Sequence, residues 1–158
     1  MSHYSEVTSS MSDEESLIEA CKEMWPEATI LQNARVRGWP RTTAPEADIV
    51  VRFTNPELEA QGNYDIGFKL QEDGTYKMVG DWYAIRCRNE EGADIMGQKN
   101  IKNAVTGTYT VKVAEKAAKK NPRLRGFKNV SKKSDYIVRK NSTGKDVRYK
   151  RVVFVRGL

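Results

Sequence analysis

Imidazole and thiol are scarce in this chain. Its 158 residues hold one histidine, His3, and two cysteines, Cys21 and Cys87. Nucleophilic catalysis asks for a base beside the nucleophile, most often a histidine. A lone histidine at the third residue reads instead as solvated or packed on a first strand. Structural zinc asks for four Cys or His ligands at short spacing, and this set cannot supply them. The phosphate-loop pattern Gly-x-x-x-x-Gly-Lys-Ser/Thr does not occur. Thr143-Gly144-Lys145 is a fragment of it inside an expected hairpin turn. Glu72-Asp73-Gly74 lacks the frame of a calcium loop. The longest apolar run, Val152 to Val155, is far short of the roughly 20 residues that cross a bilayer. The opening residues carry neither the basic nor the apolar region of a secretory signal. Two reduced thiols in a cytosolic-type protein follow as the expectation. No catalytic set, no metal site and no cofactor is called for.

Charge is what the chain has in abundance, and it is unevenly placed. Residues 1–100 carry 10 Lys/Arg against 18 Asp/Glu, while residues 101–158 carry 17 Lys/Arg against 3 Asp/Glu. An acidic front followed by a basic back points to a polyanionic partner or to two halves that attract one another. These two parts, 1–100 and 101–158, are expected to share one compact domain.

The apolar residues are patterned. His3 to Ser10 alternates as a short strand does. Ser12-Asp13-Glu14-Glu15 reads as a capping box with Ser12 as N-cap. The stripe Leu17, Ile18, Cys21, Met24 and Trp25 follows it on a helical period, until Pro26 stops it. Thr29–Leu31, Ala34–Val36 and Ala47–Phe53 are strand candidates, with a proline-containing loop over 40–45 and a connection over 55–63. Tyr64–Leu70 and Thr75–Asp81 flank Asp73-Gly74, a strong hairpin signal. Arg86 to Lys102 reads as a polar connection. A second helix is expected over Thr108–Lys120, with Tyr109, Val113 and Ala117 on its apolar side and Asn121-Pro122 at its end. Phe127–Val130, Asp135–Lys140 and Arg148–Arg156 complete the strands, with a turn over Asn141–Lys145. This order gives an α+β fold, a largely antiparallel sheet with two main helices packed on it.

Three groups merit a functional reading. Asp65 and Asp81, each beside an aromatic residue, could form a carboxylate pair for acid–base work, against the commoner fate of strand-end carboxylates, which face solvent or pair with an arginine. Trp39, Tyr64, Phe68, Tyr76, Trp82 and Tyr83 are dense enough to be core, with any exposed member free to stack on a partner. The basic third is the sharpest candidate. Lys112, Lys116, Lys119, Lys120, Arg123, Arg125, Lys128, Lys132, Lys133, Arg148, Lys150 and Arg151 could track a phosphate backbone, with Tyr136 and Tyr149 placed to stack. The competing account is a solvated or internally neutralised surface.

Several segments, in order, carry a resemblance. They are Met1-Ser2-His3-Tyr4-Ser5, Asn33-Ala34-Arg35-Val36-Arg37-Gly38, Ala47-Asp48-Ile49-Val50-Val51 and Tyr64-Asp65-Ile66-Gly67-Phe68. Asp73-Gly74-Thr75-Tyr76, Gly80-Asp81-Trp82-Tyr83, Tyr109-Thr110-Val111 and Gly126-Phe127 follow. Together they resemble the uncharacterised family of hypothetical chloroplast open reading frame thirty-five, from algal plastids and cyanobacteria. The resemblance implies a soluble protein of the cyanobacterial or viral-host cytosol or the plastid stroma. It implies no activity and transfers no site residue, and the Lys/Arg-rich tail departs from the family pattern. The function expected from residues and resemblance together is a non-enzymatic accessory or adaptor protein that meets a protein partner or a polyanion. A nucleic-acid-binding protein is the alternative, and an enzyme with a carboxylate-only site comes third.

Overall fold

A computed structural model describes residues 4–38, 44–53, 64–82, 85–88, 94–129 and 136–156. Expectations placed on His3, Trp39, residues 40–43, 55–63, Tyr83, Val130, Lys132 and Lys133 lie outside these residues. So do those on the side chains of Cys87, Tyr136, Tyr149 and Lys150. The chain divides into two compact units, Met1–Tyr109 and Thr110–Leu158. The architecture is α+β, with antiparallel strand pairing throughout the described residues.

The first unit is built on five strands: β1 (Tyr4–Val7), β2 (Thr29–Arg35), β3 (Glu46–Arg52), β4 (Asp65–Leu70) and β5 (Tyr76–Asp81). They lie in the order β1-β5-β4-β3-β2. The β4–β5 hairpin forms as the Asp-Gly signal predicts. Gly74 adopts a φ of 82°, open to glycine at no steric cost. The Asp73 carboxylate accepts from the Thr75 backbone N–H at 2.9 Å and its hydroxyl at 2.6 Å. The two separate candidates over 29–36 are one strand, β2, with Asn33 in its middle at a φ of 49°. Asparagine tolerates this left-handed conformation better than most residues, and it explains why the sequence reads as broken there. Val36 falls after the strand, its N–H donating to the Pro45 carbonyl. A small ribbon of β6 (Arg86–Arg88) and β7 (Asp94–Met96) forms where the sequence suggests only a polar connection.

Helix α1 (Glu14–Met24) buries Ser16, Leu17, Ala20 and Cys21, one stripe of its 3.6-residue period. Its N-cap is Asp13, not Ser12. The Asp13 carboxylate accepts the Ser16 N–H at 3.0 Å, which satisfies one of the helix's unpaired donors. Ser12 is otherwise engaged: its N–H and that of Asp13 both donate to the Tyr109 hydroxyl, each at 3.0 Å. Cys21 is a free thiol wholly inside, and burial pushes its pKa up because the thiolate would lose its hydration.

Helix α2 (Gln98–Lys120) begins ten residues before the expected start. Gly107 and the β-branched residues Val105, Thr106, Thr108 and Thr110 weaken local helix propensity and hide its first half. Packing overrides that preference. Ile101, Val105 and Tyr109 recur four apart and are buried. Beyond Tyr109 the helix is more open: Ala118 is buried, but Ala117, expected on the apolar side, is exposed. Of the aromatic group, Phe68, Tyr76 and Trp82 are buried core and Tyr64 is half-buried.

The second unit continues from α2 into a 3₁₀ turn (Pro122–Leu124) and four short strands, β8 (Phe127–Asn129), β9 (Tyr136–Lys140), β10 (Asp146–Lys150) and β11 (Phe154–Arg156). The expected strand over 148–156 is split in two. Its first part pairs with β9 and its second with β8, so the run must break to serve two partners. In the β9–β10 turn the Asn141 side-chain oxygen accepts from the N–H groups of Thr143 and Lys145 and from the Thr143 hydroxyl.

Candidate functional site

Two places bring polar chemistry together, one in each unit. In the first unit Asp65 and Asp81 are both fully buried, not facing solvent at their strand ends. Asp65 accepts from Arg37 Nη2 at 2.8 Å, from the Arg37 backbone N–H at 3.0 Å and from Arg52 Nε at 3.3 Å. Arg37 is further tied to the Phe53 carbonyl at 2.8 Å, and Arg52 to the Arg35 carbonyl at 2.9 Å. A carboxylate gripped by two guanidinium groups holds strands together. Tyr4, whose hydroxyl donates to the Val36 carbonyl at 3.0 Å, has its pKa raised by burial first and then by the charges of Asp81 and Asp65. Asp65 thus meets the commoner fate expected of it, pairing with arginine, and its geometry is that of a structural ion cluster.

The second unit holds an open groove of about 570 Å³. One wall is the last turn of α2, with Glu115, Ala118, Lys119 and Lys120. The floor is the bend with Asn121, Pro122, Leu124, Arg125 and Gly126, and the far wall is the β8–β11 ribbon with Phe127, Lys128, Asn129 and Phe154. Local chemistry builds the bend. Asn121 caps the 3₁₀ turn by accepting the Arg123 N–H, Pro122 opens it, and Gly126 leaves it at a φ of 86°, directing the chain into β8.

Electrostatics make this groove one-sided. Lys119, Lys120, Arg125 and Lys128 line it and are exposed. Among the described residues its single lining carboxylate, Glu115, is already engaged: Asn129 Nδ2 donates to Oε1 at 2.9 Å, and Lys112 Nζ lies 3.8 Å from Oε2. Lysines at a helix C-terminus also offset the partial negative charge there, an interaction worth only about 0.3–1 kcal/mol at an exposed end. It leaves most of the positive potential in the groove.

Of the twelve cations singled out in the sequence, four meet at this groove. Lys112 serves it by holding Glu115. Lys116 is half-buried on α2, while Arg123, Arg148 and Arg151 are exposed elsewhere in the unit. The two phenylalanines, Phe127 and Phe154, were not among the candidates. Each stands within a basic stretch, Arg125-Gly126-Phe127-Lys128 and Arg151-Val152-Val153-Phe154-Val155-Arg156, and that interleaving was the signal for them. Among the described residues no cluster of three or more His, Cys, Asp or Glu could hold a metal ion. No described helix is long and apolar enough to cross a membrane.

No curated protein and no solved structure matches this chain. Residues 25–121 match one family, which takes in β2 to β7 and α2 and stops at the floor of the groove. With more than half of its length inside that match, the chain belongs to the family described as Protein of unknown function (DUF1257).

Proposed function

We propose that this chain is a non-enzymatic accessory protein that docks on a polyanion through its Thr110–Leu158 unit. The observation that carries the reading is the groove where, among the described residues, the one lining carboxylate is engaged from within while four cations stay exposed. A surface whose charges were balanced by its own chain would show the reverse. The resemblance to the plastid and cyanobacterial family supports a cytosol or plastid stroma as its setting.

Phosphate contacts of this kind release counterions, so affinity falls steeply with salt. The test is binding of the full chain to inorganic polyphosphate at a series of salt concentrations. With four cations engaged, the log–log slope is expected near roughly −3. Charge reversal of Lys119, Lys120 and Arg125 together should remove binding. The same change at Arg123, which does not line the groove, should cost far less. Absence of polyphosphate binding at low salt, with capture of an acidic protein instead, would overturn the reading in favour of a protein adaptor.

A further inference from the structure

We infer that the groove's occupant is a single-stranded nucleic acid, with two unpaired bases stacked on Phe127 and Phe154. This rests on the polyanion reading above and narrows it. Cations alone bind any phosphate chain. The phenylalanines add a feature that polyphosphate cannot use.

Both side chains line the groove and are half-buried, so each is held by packing yet leaves part of its surface open. Their strands fix their relation. In the β8–β11 register Phe154 lies opposite Asn129 and Arg156 opposite Phe127. Phe127 and Phe154 are therefore diagonal neighbours on one face of the ribbon. Such pairs stand roughly 7–8 Å apart. Bases in a duplex strand rise by about 3.4 Å each. Two rings at about twice that spacing suit bases drawn apart from one another, as in an extended single strand, and not a stacked duplex. Lys119, Lys120 and Arg125 border the same space, so a phosphate flanking a stacked base would meet positive charge. Ring stacking accepts any base, so the binding should be tolerant of sequence.

The test compares oligo-dT of 20 nucleotides, the corresponding duplex and inorganic polyphosphate of matched charge, with the full chain at one salt concentration. Oligo-dT should bind on the order of tenfold or more tightly than polyphosphate, since each stacked base adds to the affinity. Phe127→Leu and Phe154→Leu, which keep apolar volume, should each bring oligo-dT affinity down toward that of polyphosphate and leave polyphosphate affinity unchanged. An unchanged circular-dichroism spectrum and unfolding midpoint show that the variants are folded. Photo-crosslinking of oligo-dT should label peptides holding Phe127 or Phe154. Equal affinity for oligo-dT and polyphosphate, unaltered in the leucine variants, would overturn the inference and leave the polyanion reading standing. Tighter binding of the duplex would overturn it too. Loss of binding to all three probes would remove both.

Discussion

Arg37 and Asp65 hold each other through backbone and side chain at once. The Asp65 carboxylate accepts from the Arg37 N–H and guanidinium, and the Asp65 N–H donates to the Arg37 carbonyl at 2.9 Å. The carboxylate is fully buried and the arginine side chain one-third exposed. Removing the partner of a buried charge is costly because the remaining charge stays out of water. Arg37→Ala should destabilise the first unit by about 3 kcal/mol, read from the midpoint of denaturant unfolding. Because Arg37 would still hold Asp65 through several contacts, Arg52→Ala should cost less. An equal cost for the two variants would show that the additional guanidinium bonds of Arg37 add nothing.

Gly67 is the point of closest approach in the sheet. A methyl group there would stand 2.4 Å from Val36 Cγ2, 2.8 Å from Val79 Cγ1 and 2.9 Å from Ala47 Cβ. These residues belong to one buried cluster, and overpacking a tight core costs about 1–3 kcal/mol. Gly67→Ala should lower stability by that amount. Adding Val36→Ala should recover part of it, a non-additive result in a double-mutant cycle.

Tyr109 caps a helix it is not part of. Its hydroxyl oxygen accepts the N–H groups of Ser12 and Asp13, residues almost a hundred positions earlier. Tyr109→Phe leaves both donors without that acceptor and should cost about 1–3 kcal/mol. Amide hydrogen exchange is the sharper readout. Ser12 and Asp13 should lose protection while the middle of α1 keeps it.

Glu6 ties β1 to the neighbouring strands through Lys77 Nζ at 2.9 Å and Lys69 Nζ at 3.6 Å. The hydrogen bond from Lys77 is the main cause that lowers its pKa. A carboxyl with a lower pKa in the folded state binds its proton more weakly there than in the unfolded chain. Its stabilising effect is present above the unfolded value, near 4.5, and is lost as pH falls through the folded one. The pair is exposed, so the effect is about 1 kcal/mol or less and shrinks with salt. Glu6→Gln should match wild type in acid and fall below it at neutral pH. A constant difference across pH would argue against the ion pair.

Local rules made some of this molecule readable. Helix α1 announces itself because carboxylates, apolar stripe and Pro26 agree on one answer. The β4–β5 hairpin does so because Asp73-Gly74 has few other uses. Asp65 was harder. Its polarity says surface, and the arginines that make its burial tolerable are 28 and 13 positions earlier in the chain. The first half of α2 was hidden because Ile101, Val105 and Tyr109 win by tertiary packing against weak propensity. In the basic region charge density was plain, yet nothing local says which cations share a space. That follows from the bend at Pro122–Gly126 and from the pairing of β8 with β11, a contact between residues far apart in sequence.

Cys21 turns the first unit into its own gauge. Only the thiolate reacts with alkylating agents, and this sulfur is sealed beneath α1 with ionisation suppressed. In a Cys87→Ser background, the labelling rate at Cys21 would time how often that helix lifts from its bed, with no probe attached beforehand.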